Sequence, residues 1–209
     1  MAELKRRTRG RPPKVQADNL ETRETIIQVG MRLFSCDGFM LTSLDRILTE
    51  GQVTKGSFYN YFASKDALGK IVLERYARAY SERLSRFLML PDISPIMRLK
   101  TFIMDDLDHM IACHYQSGCL VNKLSQEYYF LSDDMKELVE STLTSWQQQT
   151  ALCVREAIDI GEVSPTIDPE RLSSLIWTSY HGALQRARNN KDVTPVHIFV
   201  EDFLSMVTS

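Results

Sequence analysis

The sequence predicts an all-α fold in which an N-terminal unit of three helices is joined by a long helix to a larger α-helical body. Three features predict it. Apolar residues recur three and four positions apart along most of the chain, the spacing of one helix face. No segment sustains the two-residue alternation of a half-buried strand. Capping residues and helix-ending Gly or Pro recur between the periodic stretches.

Residues 1–17 carry Lys5, Arg6, Arg7, Arg9, Arg11 and Lys14 among few apolar side chains, and predict a disordered basic arm. Asp18 or Thr22 can cap a first helix with Ile26, Gly30, Leu33 and Phe34 on its inner face, ended at Asp37-Gly38. Thr42 or Ser43 caps a second, holding Leu44, Ile47 and Leu48 and stopped by Gly51. A third covers 55–61. Ser64 caps a long fourth helix with the stripe Leu68, Ile71, Val72, Tyr76, Ala79, Leu84, Phe87 and Leu88. Pro91 and Pro95 separate it from a helix over 96–114, and Ser117-Gly118 separates that from a shorter one reaching Tyr129. Ser132, Asp133 and Asp134 set a capping hydroxyl and two negative charges at the positive end of the next helix, which runs to Gly161. Asp168-Pro169 and Thr194-Pro195 open the last two helices, a cap followed by proline's preset φ.

Bulk properties exclude several classes. With 209 residues, 44% apolar and 25% charged, the chain can bury one large core, or a small core beside a larger one. No apolar run is long enough to span a membrane, and the basic start lacks the apolar stretch of a secretion signal. Cys36, Cys113, Cys119 and Cys153 are scattered without a CxxC pair, so a reducing, cytoplasmic setting is expected. Charge is uneven, with 11 Lys/Arg against 7 Asp/Glu up to Lys65 and 14 against 20 beyond it. The basic end suits nucleic acid, and the acidic remainder is repelled by phosphate.

The stretch TSLDRILTEGQVTKGSFYNYFASK at 42–65 has the spacing of a helix-turn-helix, two short helices across a tight turn. Its second helix crowds Lys55, Ser57, Tyr59, Asn60 and Tyr61 together, while Phe58 and Phe62 repeat at i, i+4 and anchor inward. Lysine can read guanine and asparagine adenine in the major groove. Ser57, Tyr59, Tyr61 and Lys65 suit phosphate oxygens, and Gly56 lets backbone approach the duplex. Thr42 and Ser43, opening the first of the two helices, complete the expected DNA contacts. Two readings of Arg9-Gly10-Arg11-Pro12-Pro13 stand: arginines in an A·T-rich minor groove, as in an AT-hook core, or a solubilising tail with general attraction to phosphate.

The run Lys-Gly-Ser-Phe-Tyr-Asn-Tyr-Phe-x-Ser-Lys-Asp at 55–66 resembles the recognition segment of the TetR family of repressors, from aromatic placement through the capping serine to the lysine. Asn60 departs from the aromatic that many members carry there. The resemblance implies a helix-turn-helix DNA-binding domain over 18–65 and an effector-binding and dimerisation domain over 66–209. It also implies a homodimer on a palindromic double-stranded DNA operator, paired through the last two helices. Tyr180, Ala183, Leu184, Phe199 and Phe203 are the interface residues expected on those helices.

Ligand pockets are mostly apolar and aromatic with a few polar groups. The middle helices supply such a set in His114, Tyr115, Cys119, Lys123, Trp146, Trp177 and His181, where a small-molecule effector of unknown identity is expected. Ser117 to Ser125 is similar to the Gly-Cys-Leu segment of a TetR subgroup that answers electrophiles, oxidants or acrylate-type acids. A cysteine opening a helix near Lys123 would have a lowered thiol pKa. Covalent sensing at Cys119 and a merely buried or pocket-lining thiol both stand. Relatives in that subgroup carry lysine where Arg188 stands here, and arginine supplies no amine nucleophile. His109 and Cys113 at i, i+4 offer two metal ligands with no third fixed by spacing, so neither metal nor cofactor is expected. No nucleophile, base and orienting group can be assembled, so no enzyme is expected. The expected function is an effector-released repressor, with an architectural DNA binder lacking any effector as the alternative.

Overall fold

Ser43, Ser64 and Asp168 each begin a helix as their side chains dictate, by accepting a hydrogen bond from a backbone N–H that the first turn leaves unpaired. The computed structural model describes residues 14–207. Their order is α1 (Lys14–Asp37), α2 (Leu44–Gly51), α3 (Lys55–Tyr59), α4 (Lys65–Leu88), α5 (Pro95–Ala112), α6 (Leu120–Gln126), a 3₁₀ turn (Tyr128–Phe130), α7 (Asp133–Asp159), α8 (Pro169–Asn190) and α9 (Thr194–Val207). There is no strand among the described residues, and no helix long and apolar enough to cross a membrane.

Several helix ends differ from expectation. α1 already begins at Lys14, inside the expected arm, rather than at Asp18 or Thr22. Arg9 and Arg11 lie outside the described residues. α2 keeps Gly51 as its last residue, and Gln52 takes the left-handed conformation that ends it, at φ 52°. Ser132 stands at the N-cap of α7 without a side-chain hydrogen bond, leaving Asp133 and Asp134 to complement the helix dipole. At α9 the capping carboxylate is Asp192, whose Oδ1 accepts from Thr194 N at 3.1 Å and Thr194 Oγ1 at 2.8 Å.

α4 forms the spine. Leu68, Val72, Leu73 and Leu84 along it are fully buried, and α1, α5 and α7 pack around them. Each such side chain removed from water contributes about 1.5–3 kcal/mol. Further along, Tyr80, Phe102, Trp146, Trp177 and Tyr180 form one aromatic cluster, with Trp146 and Trp177 stacked at 5.2 Å between centroids. Buried indoles need an acceptor. Trp146 Nε1 donates to Ser81 Oγ at 2.7 Å and Trp177 Nε1 to Thr150 Oγ1 at 3.0 Å.

The corner between α1 and α2 fixes how the N-terminal helices sit on the body. Gly38 turns the chain at φ +96°, and a Cβ there would lie 2.2 Å from Glu127 Oε1. Only glycine meets both conditions. The space it leaves is filled by Glu127, from just beyond α6, whose Oε2 accepts from Phe39 N at 2.9 Å and Met40 N at 3.1 Å.

Candidate functional site

α3 is a short helix with an exposed outward face and an inward face two rings deep. Phe58 and Phe62 are buried in the core, 5.4 Å apart between centroids, with Arg23 of α1 over the Phe62 ring. Thr54 caps α3 through Oγ1, which accepts from Ser57 N at 3.1 Å. With those anchors inside, Lys55, Gly56, Tyr59 and Asn60 are exposed together, and Ser57 and Tyr61 are half-buried at the margin. Ser43 is exposed at the start of α2. The result is a small polar surface of one cation, one amide and hydroxyls on a rigid support, suited to a groove lined by phosphates and base edges.

Two expected contacts are not on that surface. Thr42 is fully buried, its Oγ1 donating to Gly38 O at 2.6 Å. Lys65 turns inward, donating from Nζ to Phe39 O at 2.9 Å and Thr42 O at 3.1 Å, with its ammonium 4.2 Å from the Phe39 ring centroid. Burial lowers its pKa, although Asp66 and Glu127 oppose this. Two carbonyls of the corner claim this lysine, and sequence spacing could not show that.

A cavity of about 1050 Å³ opens between α1, α4, α5, α6 and α8. Tyr76 and Tyr80 from α4, Asp106 from α5, Cys119 and Lys123 at α6, and Arg188 from α8 define its chemistry. Asp106 is its polar hub, accepting from the hydroxyls of Tyr80 and Tyr180, each at 2.5 Å, and pairing with Arg83. Burial, then the Asp106 carboxylate, raises the pKa of both Tyr80 and Tyr180 well above the usual phenol value, so both stay protonated donors.

Of the expected pocket residues, Cys119 and Lys123 line the cavity. His114 and Tyr115 lie in the α5–α6 connection at φ 52° and 59°, off the wall. Trp146 and Trp177 are core, 0% and 4% exposed. The wall takes Leu184, Gln185 and Arg188 from α8 and stops short of His181, which packs against Trp177 and Tyr180. His181 Nε2 has no hydrogen-bond partner, and burial pushes the imidazole down to about 4. Tyr76, Tyr80, Arg83 and Asp106 were not anticipated. Their signal was the i, i+4, i+7 alignment of Tyr76, Tyr80 and Arg83 on one face of α4.

The expectation of an activated thiol at Cys119 is reversed. Burial pushes its thiol up to about 12, outweighing the backbone N–H groups of Asn122 and Val121 and the Tyr76 hydroxyl that favour thiolate. His109 Nε2 and Cys113 Sγ approach to 3.9 Å, but among the described residues no three metal-ligating side chains converge.

The outer face of α8 and α9 also differs. Tyr180, Leu184 and Phe203 point into the protomer and are buried there, while Ala183 and Phe199 border a shallow recess with Ser179, Gly182, Arg186 and Ile198. The large apolar side chains exposed on these helices are Leu175, Ile198 and Met206. Interior and outer faces of a helix apolar on several sides cannot be told apart from periodicity.

Comparison with known proteins gives consistent matches. Residues 26–70 match the family described as bacterial regulatory proteins, tetR family, and residues 95–203 match the tetracyclin repressor-like C-terminal domain. The chain is 32% identical over 195 residues to the transcriptional regulator AcuR of Cereibacter sphaeroides, covering 93% of this chain and 89% of that one. It is 28% identical over 180 residues to the HTH-type transcriptional repressor NemR of Escherichia coli K12, covering 84% and 88%. The crystal structure of regulatory protein TetR from Rhodobacter sphaeroides superposes with a TM-score of 0.85 at 31% identity, over 89% of this chain and 98% of that one.

Proposed function

Because the chain belongs to the TetR family of bacterial regulatory proteins, we propose that it is a repressor that binds a palindromic operator as a homodimer and leaves it when a small molecule occupies the cavity. It is a transcriptional regulator and not an enzyme. The observation that carries the proposal is the exposure of Lys55, Tyr59 and Asn60 above buried Phe58 and Phe62. Lys55 and Asn60 read base edges, and Ser43, Ser57, Tyr59 and Tyr61 hold phosphates. Arg9 and Arg11 add contacts from the segment before α1. Two such surfaces, related by a two-fold axis, match half-sites about one helical turn apart. The pairing face is the outer side of α8 and α9, where Leu175 and Ile198 are exposed and Ala183, Ile198 and Phe199 line the recess.

Release follows if the occupied cavity favours a geometry in which the two α3 surfaces no longer fit successive grooves. Among the walls of the cavity, α4 and α6 also pack against α1, so occupancy and α3 spacing share the same elements. A reversible ligand suits the site better than covalent capture at Cys119, because burial keeps that thiol protonated. The repressor name of the relative NemR supports the sign of regulation.

Fluorescence anisotropy with a genomic palindrome and a scrambled duplex of equal length tests the reading. Binding should be salt-dependent, one dimer per palindrome, and at least about a thousandfold tighter than to the scrambled duplex. Equal affinity for both duplexes would overturn it in favour of an architectural binder.

A further inference from the structure

Among the described residues the cavity carries five cations, and three of them are already neutralised. Arg32 pairs with Glu50, Arg75 with Glu24, and Arg83 with Asp105 and Asp106. Lys123 and Arg188 are different. Among the described residues neither forms an ion pair, and each is held by backbone carbonyls. Lys123 Nζ donates to Cys36 O at 2.8 Å, and Arg188 Nη2 donates to the same Cys36 oxygen and to Gln116 O at 3.0 Å. Two neighbouring cations thus share one neutral acceptor. Each weakens the other, and Lys123 is held below its usual pKa by burial and then by Arg188, with Glu127 and Asp37 too distant to pair. A carboxylate or sulfonate is a far better partner for such a pair than a peptide carbonyl.

The acceptor they share has a position of consequence. Cys36 lies in the last turn of α1, two residues before the Gly38 corner. The same corner is gripped by Glu127 at Phe39 N and Met40 N, and by Lys65 at Phe39 O and Thr42 O. α6 and α8 therefore hold the N-terminal helices partly through the two side chains that lack an anion.

We propose that the cavity takes a ligand with one anionic head group on an apolar body, and that the head group draws Lys123 and Arg188 off the Cys36 carbonyl and so loosens the α1–α2 corner. This deepens the effector-release reading above and rests on it for its consequence at DNA. The apolar body lies against Tyr76, Tyr80, Met110 and Leu184. Among the described residues a second anionic group has no unpaired cation left to meet, since Arg32, Arg75 and Arg83 already hold carboxylates.

The test uses the full-length protein with two fluorescent probes, anilinonaphthalene sulfonate and its uncharged relative phenylnaphthylamine. Lys123→Gln and Arg188→Gln should each weaken the sulfonate about tenfold or more and leave the neutral probe within about twofold. Lys123→Arg and Arg188→Lys, which keep the charge, should restore most of the sulfonate affinity. Hydrogen exchange read by mass spectrometry over 36–42 should rise several-fold when the sulfonate is bound and stay unchanged with the neutral probe. If both probes weaken together, or neither does, the anion seat is wrong. If the sulfonate binds through these residues without changing exchange at the corner, the coupling is wrong. If seat and corner behave as stated while operator affinity is unmoved, the anion site stands and effector release fails.

Discussion

Glu127 and Phe39 are joined across 88 positions of sequence by one hydrogen bond of 2.9 Å, from a backbone N–H in the α1–α2 corner to a carboxylate just past α6. The same oxygen accepts from Met40 N, and the other carboxylate oxygen fills the space that Gly38 leaves. A charged acceptor on two otherwise orphaned N–H groups is worth more than a neutral one.

Glu127→Ala should therefore lower unfolding free energy by about 2–3 kcal/mol in urea melts, while Glu127→Gln, which keeps an acceptor, should lose about half as much. Gly38→Ala should cost about 1–2 kcal/mol through its φ of +96°, plus a collision with Glu127. In the Glu127→Ala background the collision disappears and only the backbone strain remains. A double-mutant cycle showing strict additivity would count against this corner as one coupled unit.

Lys55 and Lys65 should behave as opposites although both flank the recognition segment. Lys55 is exposed and reads a base edge, so Lys55→Ala should leave thermal stability unchanged, weaken operator binding by about 1–3 kcal/mol and relax the base preference at the position it reads. Lys65 donates to two backbone carbonyls of the corner, so Lys65→Met should cost about 1.5–3 kcal/mol of stability and leave the base preference alone. Anisotropy titrations with base-substituted operators, paired with thermal melts, separate the two.

That contrast shows what the sequence could disclose. Phe58 and Phe62 at i, i+4 announced a helix with an inner and an outer face, and the exposed Lys55 to Asn60 surface followed from that alternation. The destination of Lys65 did not, because it depends on which carbonyls the α1–α2 corner presents to it, a property of tertiary packing. Trp146, Trp177 and Tyr180 were readable as apolar helix positions but not as core rather than wall or interface, since all three lie on helices packed on several sides. Asp106 was invisible for a related reason. An acidic residue in an α-helix reads as solvated unless the Tyr80 and Tyr180 hydroxyls that come to meet it are known.

His181 gives a pH dependence whose sign can be worked out. Burial holds it down at about 4 in the folded chain against 6.5 when free, and Nε2 has no partner. The unfolded chain therefore takes up a proton on falling through about 6.5 while the folded chain does not until about 4. Stability should be complete above that window and decline through it by about 3 kcal/mol from this residue. His181→Phe should flatten the urea midpoint between the two values. A wild-type midpoint already flat there would mean that the imidazole has found a proton acceptor.

Cys119 should be slow to react despite lining the cavity. With its thiol pushed up to about 12 against an ordinary 9, its thiolate fraction at neutral pH is about a thousandfold lower than that of an unperturbed cysteine. Only the thiolate attacks, so brief iodoacetamide treatment should leave Cys119 unmodified in the folded protein and modify it fully once the chain is unfolded in urea. Peptide mass spectrometry reads this site by site. Cys119→Ser should then keep its operator affinity and its response to a reversible cavity ligand, because the side chain forms no covalent bond there and serine keeps a hydrogen-bonding atom in its place. Stoichiometric labelling of Cys119 in the folded dimer, accompanied by loss of operator binding that Cys119→Ser escapes, would instead mean that occupancy of the cavity or motion of α6 opens the thiol to water, and that covalent capture is the signal.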